Sequence, residues 1–316
     1  MAYLLLIAGI ILLLLGGDWL VKGSVDLALR LKIDLLVVGM TVVSFATSAP
    51  ELLVSLDAAI NGFTDISFGN VIGSNIANLA LILGLTAMVF PMEVNPKTYR
   101  LDFWVMLLIT VLLYFFISWG QTLNFWESSF LVLLLILYNF FQIWASRRRR
   151  TRRMKESPDM EQPAPKKNIY WMIGYLLAGI VGLRYGATFL IDGAVQLAES
   201  WGVSERVIGI TVVSVGTSLP ELAASMVASF KGEQELSLGN LIGSNIFNIL
   251  AVLGITGLFV ELPLKNPEIL NFDIPYFIGV SLLLYPFMRF IKQGTITRWQ
   301  GLVMFVAYLA YIYLVF

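Results

Sequence analysis

Long apolar stretches follow one another along the chain, and short polar segments separate them. A helix needs about 20 mostly apolar residues to cross a bilayer, and ten stretches come close to or exceed that length. They span residues 3–21, 33–60, 67–90, 102–120, 125–146, 169–191, 203–229, 237–259, 273–291 and 298–316. The pattern predicts an all-α membrane protein with ten transmembrane helices.

The composition agrees with this prediction and limits the possible chemistry. Of the 316 residues, 58% are hydrophobic and 13% are charged, which is too apolar for a soluble domain of this size. The chain contains no cysteine and no histidine. Thiolate nucleophiles, imidazole bases and Cys or His metal sites are therefore excluded. The oxygen ligands that remain suit hard cations such as Na⁺ and Ca²⁺.

A basic segment separates the fifth and sixth predicted helices. Residues 147–153 read RRRRTRR, and a polar, proline-containing run continues to Lys167. We interpret residues 147–168 as a cytoplasmic linker that fixes the topology, with contact to anionic lipid headgroups as a minor role. The linker is too short for a folded regulatory domain. Nucleic-acid binding does not fit a chain this apolar, and no required protein partner is evident.

The other basic residues support one orientation. A cytoplasmic linker places both termini outside the membrane. Nine further basic residues then lie inside: Lys22, Arg30, Lys32, Lys97, Arg100, Lys231, Arg289, Lys292 and Arg298. Three lie outside: Arg184, Arg206 and Lys265. This distribution satisfies the positive-inside rule and predicts a multi-pass protein of the cell (inner) membrane.

A gapless internal repeat relates the two halves of the chain at an offset of 170 residues. GMTVVSFATSAPELLVSL at 39–56 matches GITVVSVGTSLPELAASM at 209–226, and SFGNVIGSNIANLALILG at 67–84 matches SLGNLIGSNIFNILAVLG at 237–254. In each pair 11 of 18 positions are identical. Five predicted helices separate the copies, so the halves enter the membrane in opposite senses. We expect two inverted five-helix repeats, 1–146 and 169–316, with a site where they meet at the midplane.

Glu51 and Glu221 occupy matching positions of the repeat, inside apolar spans. A charged side chain there costs several kcal/mol, about 2.5 or more, unless it is paired or solvated. No Lys or Arg lies at equivalent depth, and two facing carboxylates would repel each other. A bound cation removes both difficulties. The alternative is a protonated glutamate that is hydrogen-bonded for packing.

The residues before each glutamate supply further oxygen atoms. The motifs read TSAPE at 47–51 and TSLPE at 217–221. Hydroxyl groups three and four positions before a glutamate share its helical face, and these are Thr47, Ser48, Thr217 and Ser218. The prolines kink each helix and free the carbonyl four residues back. The freed carbonyls, those of Ala46 and Gly216, are candidate cation ligands.

The second repeated motif supplies neutral ligands. Ser74 and Asn78 lie four residues apart on one helical face, as do Ser244 and Asn248. The alternative is interhelical hydrogen bonding, worth about 0.6 kcal/mol each. We assign the neighbouring GxxxG glycines to close helix packing; they are Gly69, Gly73, Gly239 and Gly243.

GTSLPE at 216–221, with GNVIGSNI and GNLIGSNI, resembles the α-repeats of the cation/calcium exchanger superfamily. The chain is most similar to the short prokaryotic sodium/calcium exchanger branch, and the resemblance covers nearly its whole length. It implies antiport of Ca²⁺ against Na⁺ by alternating access, with no cofactor and with ligands at the positions given above. It also implies carbonyl ligands near Ser44 and Ser214.

Two departures from the family pattern bear on the ions. The first repeat reads ATSAPE, which leaves the ligand positions in place. Asn248 stands where some relatives, potassium-dependent exchangers among them, carry Asp. This argues against potassium dependence and leaves two carboxylates instead of three. The motif arrangement of the cation/proton branch is absent, yet proton coupling stays open because any carboxylate pair can exchange protons for cations.

Three rival functions remain to be tested. A calcium or sodium/proton antiporter would use the same carboxylates. An ion channel would also line its path with them, but an inverted repeat with broken helices favours alternating access. An intramembrane enzyme would need an acid pair, and aspartic intramembrane enzymes use Asp instead of Glu. We therefore predict that the chain is a transporter and has no enzymatic activity.

Overall fold

The computed structural model describes residues 1–93, 96–156, 168–201, 216–289 and 294–315. Helices account for nearly all of this part of the chain. They are α1 (Ala2–Leu31), α2 (Leu35–Val38), α3 (Ser44–Thr47), α4 (Ala49–Ile60), α5 (Thr64–Ile76), α6 (Leu83–Val89), α7 (Pro96–Gly120), α8 (Phe125–Glu156), α9 (Ile169–Ser200), α10 (Leu219–Phe230), α11 (Gln234–Phe247), α12 (Gly254–Phe259), α13 (Ile274–Arg289) and α14 (Arg298–Val315). Wider π-helical turns lie at Gly39–Val43, Ala77–Ile82, Asn248–Leu253 and Ile269–Asp273.

The predicted membrane helices are largely present. In the described part of the chain, eight helical runs are long and apolar enough to cross a membrane. A ninth candidate is the pair Leu35–Thr47 and Ala49–Ile60, which bends by 44° at a short break. The prediction of a helical multi-span protein is thus confirmed. The predicted span 203–229 is described only in part, since residues 202–215 lie outside the described residues, so ten helices and their inverted arrangement stay predictions.

Two helices extend further than their apolar stretches. α1 continues to Leu31, where Lys32 ends it in a left-handed conformation with φ 55°. α8 continues through the basic run to Glu156, so the first turns of the predicted linker are helical. Lysine and arginine are good helix formers and tolerate water, so a helix can project beyond the apolar layer. Apolar length alone underestimates such helices.

The chain forms two compact units, and the first comprises Met1–Thr47 and Leu137–Asn240. In this unit α1 packs along α9. Glycines in α1 recur every seven residues, at Gly9, Gly16 and Gly23. A Cβ atom at Gly16 would lie 2.6 Å from the backbone nitrogen of Leu183 in α9. The two backbones therefore approach as closely as small-residue interfaces in membranes allow.

The second unit comprises Ser48–Ile136 and Leu241–Phe316. Here α4 packs against α5 and against the π-helical turn Asn248–Leu253, while α14 packs along α6. Two short antiparallel ladders join its loops. They pair β1 (Met92–Glu93) with β4 (Thr295–Ile296), and β2 (Thr122–Leu123) with β3 (Leu262–Pro263).

The prediction for the GxxxG glycines has a mixed outcome. At Gly239 a Cβ atom would lie 2.6 Å from the carbonyl oxygen of Leu36, in agreement with close packing. At Gly69 and Gly73 no described atom lies within 4 Å of the position that a Cβ atom would take. The described residues therefore do not support close packing for that pair.

Candidate ion-binding site

A proline-containing break precedes each of the two glutamates. Ser48 has φ −85° and ψ 3°, and Ser218 has φ −88° and ψ 3°, so both residues leave helical geometry in the same way. A helix then begins with proline in its first turn, where the missing N–H costs nothing. Glu51 and Glu221 follow in that first turn. The free N–H groups of a helix N-terminus favour a negative charge at this place.

Both glutamates are buried. The side chain of Glu51 is 0% exposed and that of Glu221 is 1% exposed. Glu51 belongs to the second compact unit and Glu221 to the first. A buried carboxylate requires compensation by positive charge, a proton or hydrogen-bond donors. Each is therefore a candidate anionic ligand within its own unit.

The other predicted ligands are also largely withdrawn from solvent. Thr217 is half-buried. Seven hydroxyl and amide ligands are buried: Thr47, Ser48, Ser74, Asn78, Ser218, Ser244 and Asn248. Of the candidate carbonyl ligands, Ser44 and Gly216 are buried and Ala46 is half-buried. Ser214 lies outside the described residues.

In the second unit, Asn70 fixes the start of α4 from the neighbouring helix α5. Its side-chain nitrogen donates to the backbone carbonyl of Glu51 at 3.2 Å and to Oγ of Ser55 at 2.9 Å. Oγ of Ser67 donates to the carbonyl of Ser55 at 2.6 Å. These bonds fix the backbone of Glu51 through its carbonyl oxygen and through Ser55.

Four asparagines of the second unit form two crossed pairs. Nδ2 of Asn78 donates to Oδ1 of Asn245 at 3.1 Å, and Nδ2 of Asn248 donates to Oδ1 of Asn75 at 3.0 Å. Asn245 and Asn248 are the repeat counterparts of Asn75 and Asn78 at the offset of 170 residues, so the two hydrogen bonds are equivalent. Among the described residues, the buried Oδ1 atoms of Asn78 and Asn248 accept no hydrogen bond. Buried acceptors normally have a partner, so these two oxygens are suited to bind a cation.

Both of these asparagines lie in π-helical turns. Asn78 belongs to the turn Ala77–Ile82, and Asn248 begins the turn Asn248–Leu253. Single π-helical turns inside longer helices occur often at functional sites. Because α4 packs against Asn248–Leu253, the helix of Glu51 and an asparagine-bearing turn adjoin within one unit.

In the first unit, Asn240 contacts two residues of α3, the hydroxyl candidate Thr47 and the carbonyl candidate Ser44. Oγ1 of Thr47 donates to Oδ1 of Asn240 at 3.2 Å, and Oγ of Ser44 donates to the Asn240 carbonyl at 3.0 Å. Nδ2 of Asn240 donates to Oγ of Ser225 at 3.0 Å. Hydroxyl oxygens of this kind belong to the oxygen ligands that Na⁺ and Ca²⁺ prefer. α3 also packs against α10, the helix of Glu221.

Sequence reasoning missed the residues that hold the predicted ligands. They are Asn70, Asn75, Asn240 and Asn245, with the serines Ser55 and Ser225. A signal for them was present, because each stands unchanged at the matching position of the other repeat. Asparagine is also costly in an apolar span unless its amide is bonded. Identity between the repeats and the cost of an unbonded amide together mark such asparagines as important, whether they bind an ion or support the structure.

The chemistry of the candidate ligands within each unit favours hard cations. Within the described ranges, no cluster of three or more Asp, Glu, His or Cys side chains could hold a metal ion by itself. Among the candidate ligands, only Glu51 and Glu221 are carboxylates, and the others are hydroxyl, amide and carbonyl oxygens. Such mixed oxygen sets suit Na⁺ and Ca²⁺ better than transition metals.

Comparisons with known proteins agree with this chemistry. A profile of the family described as sodium/calcium exchanger protein matches residues 1–144 and 171–316. The sodium/calcium exchanger MaX1 of Methanosarcina acetivorans is 32% identical over 99% of this chain and 98% of its own. The inner membrane protein YrbG of Escherichia coli is 37% identical over 82% of this chain and 80% of its own.

A solved structure extends the similarity to the fold. The sodium-calcium exchanger NCX_Mj, soaked with zero Na⁺ and Ca²⁺, superposes with a TM-score of 0.84 at 32% identity. The match covers 100% of this chain and 99% of that chain. The similarity therefore includes both halves of the sequence repeat.

Proposed function

Because the chain belongs to the sodium/calcium exchanger family, we propose that it exchanges Ca²⁺ for Na⁺, with Glu51 and Glu221 as the anionic ligands. One observation carries the proposal. Two glutamates at matching repeat positions are each buried, each in the first helical turn after a proline break. Packing alone gives no reason to keep a buried carboxylate at both places.

Neutral oxygens complete the proposed ligand set. The side-chain ligands are Thr47, Ser48, Ser74, Asn78, Thr217, Ser218, Ser244 and Asn248. The backbone carbonyl candidates are Ser44, Ala46, Ser214 and Gly216. Calcium takes six to eight oxygen ligands in flexible geometry, so a set with more candidates than positions can serve two kinds of ion in turn.

Charge balance gives a physical basis for coupled transport. The two glutamates carry a formal charge of −2, which one Ca²⁺ or two Na⁺ ions neutralise. Moving uncompensated charge through an apolar layer is costly, so the empty site is penalised during the change between inward and outward states. Either cargo removes the penalty, and competition for the same oxygens couples the fluxes.

Proton coupling is the main alternative, and ion substitution separates the two. We expect sodium-loaded proteoliposomes to take up radioactive Ca²⁺ on dilution into sodium-free buffer. An imposed pH gradient without sodium should drive no comparable uptake. Protein carrying Glu51→Gln serves as the inactive control. Ca²⁺ uptake that is driven by the pH gradient and does not depend on the sodium gradient would establish a proton antiporter in place of our proposal.

Asn248→Asp tests whether Asn248 is an ion ligand. The side-chain nitrogen of Asn248 donates to Asn75 at 3.0 Å, and an ionised aspartate would lose that bond while adding a negative charge. We expect tighter Ca²⁺ binding at high pH, by about tenfold, and convergence with the natural protein at low pH, where the aspartate is protonated. The readout is Ca²⁺ affinity across a pH series.

The matched control for this variant is Asn271→Asp. Asn271 is exposed and lies outside the amide network, so the same chemical change there should leave the affinity unaltered. An identical Ca²⁺ affinity of the Asn248 variant at every pH would assign Asn248 to packing.

The proposed orientation has both termini outside and the basic linker in the cytoplasm of a cell (inner) membrane. It rests on the uneven distribution of Lys and Arg along the chain. The multi-pass membrane character follows from the family and from the apolar helices of the described residues. Lipid is thus a constant partner of the protein, and the transported ions are its substrates.

A further inference from the structure

A methionine of α7 contacts the asparagine network of the second compact unit. The side chain of Met106 is 0% exposed, and Nδ2 of Asn245 donates to its Sδ atom at 3.5 Å. Met106 belongs to a buried stripe whose members recur every three or four positions: Phe103, Met106, Thr110, Leu113 and Ile117. α7 also packs against the π-helical turn Asn248–Leu253. The buried face of α7 therefore adjoins the network, with a sulfur atom at the point of contact.

The sulfur atom determines which way the Asn245 amide points. A thioether has no proton to donate and can only accept, so Asn245 must direct its NH₂ group at Met106. Oδ1 of Asn245 is then the atom that accepts from Nδ2 of Asn78 at 3.1 Å. Because Asn78 uses its nitrogen in this bond, its Oδ1 atom is the one left for a cation. The three side chains form a hydrogen-bonded series whose direction starts at Met106 and ends at a proposed ligand oxygen.

The other crossed pair of amides is oriented by a different kind of acceptor. Nδ2 of Asn75 donates to the backbone carbonyl of Asn245 at 3.2 Å, and Oδ1 of Asn75 accepts from Nδ2 of Asn248 at 3.0 Å. A backbone carbonyl is a strong acceptor that no side-chain substitution removes, whereas a thioether is a weak acceptor. The orientation of Asn78 therefore depends on a single replaceable side chain, that of Met106.

We propose that Met106 is a positioning residue that directs Oδ1 of Asn78 at the transported ion. The inference rests on the proposed function, since that function places Asn78 among the ion ligands. Without the sulfur, the NH₂ group of Asn245 would be buried with no acceptor at that place, which is harder to tolerate than a buried carbonyl oxygen. The amides of Asn245 and Asn78 would then reverse together. An NH₂ group would replace the Asn78 oxygen at the ion, and its partial positive charge would repel a cation.

Equilibrium binding of radioactive Ca²⁺ to the detergent-solubilised full chain tests this proposal. Met106→Leu removes the acceptor and nearly conserves the volume, so the variant should fold. Its apparent Ca²⁺ affinity should fall by about fivefold, because only the fraction of molecules with unreversed amides binds the ion. The matched control is Met304→Leu, the same exchange at a buried methionine of α14 in the same unit, which should keep the natural affinity. Thermal unfolding is measured alongside, and Met106→Ile, which also lacks an acceptor, replaces the leucine variant if that variant does not fold.

The variant Asn78→Asp separates positioning from packing. An ionised aspartate has two oxygen atoms and no NH₂ group, so its orientation cannot be reversed. Adding Met106→Leu to Asn78→Asp should therefore change the Ca²⁺ affinity by less than about twofold. A fivefold loss in this background as well would assign Met106 to packing and overturn the proposal.

The same assay distinguishes a failure of this inference from a failure of the proposed function. Natural Ca²⁺ affinity in Met106→Leu, together with lost binding in Glu51→Gln, would overturn the role of Met106 and leave the proposed function intact. Natural binding in Glu51→Gln would contradict the proposed function, and the role of Met106 with it. We expect a fivefold loss in Met106→Leu, little change in Met304→Leu and little Ca²⁺ binding in Glu51→Gln.

Discussion

Sodium-driven Ca²⁺ uptake should fall by at least about 100-fold when Glu51 is replaced by glutamine, and the same should hold for Glu221→Gln. The exchange removes one of two negative charges from the proposed ligand set while keeping the shape of the side chain. A factor of 100 corresponds to about 2.7 kcal/mol, which is modest against the cost of an uncompensated charge in an apolar layer. Radioactive Ca²⁺ uptake into sodium-loaded proteoliposomes gives the measurement.

These glutamate variants should still fold. Asn70 bonds the backbone carbonyl of Glu51 and not its carboxylate, so the link between α4 and α5 survives the substitution. Glu261→Gln is the matched control, because Glu261 is exposed and undergoes the same loss of charge. Uptake at the natural rate in Glu51→Gln or in Glu221→Gln would remove that residue from the site.

The second large effect concerns stability instead of transport. Gly16→Val should lower the unfolding temperature by about 5 °C, because a Cβ atom at Gly16 would lie 2.6 Å from the Leu183 nitrogen and 2.8 Å from the Gly182 carbonyl carbon. Both are backbone atoms, so α1 and α9 must move apart. Overpacking of this kind costs about 1–3 kcal/mol or more, and each kcal/mol shifts the unfolding temperature of a chain this long by about 2 °C.

A valine elsewhere in the same helix pair provides the comparison. No described atom lies within 4 Å of the position that a Cβ atom would take at Gly174 in α9, so Gly174→Val should shift the unfolding temperature little. Thermal unfolding of the detergent-solubilised protein reports both variants. Equal shifts in the unfolding temperature of the two variants would show that valine acts through its helix propensity and not through the close approach of the backbones at Gly16.

The sequence predicted the membrane helices well because apolar length is a local property. It also located the helix break, since proline acts on its own backbone and on the carbonyl four residues back. The bend at Ser48, with a helix restarting at Ala49, follows from that rule. The C-terminal ends of α1 and α8 were harder to predict from the sequence, because basic residues allow a helix to continue past its apolar stretch.

The supporting asparagines were harder to predict, for a physical reason. Burial can be inferred from an apolar span, but the partner of a buried amide depends on tertiary contacts between residues far apart in the chain. Asn78 and Asn245 are 167 positions apart, and Thr47 and Asn240 are 193 apart. The internal repeat marks all of these residues, yet it does not distinguish those that bind an ion from those that hold a ligand.

Equilibrium binding of radioactive Ca²⁺ to the purified protein, measured at increasing Na⁺ concentrations, tests the central claim most directly. If Glu51 and Glu221 serve both ions, Na⁺ will reduce the apparent Ca²⁺ affinity progressively, and either glutamine variant will bind little Ca²⁺ at any Na⁺ concentration. Calcium binding that ignores Na⁺, or that persists unchanged in both variants, would contradict the account.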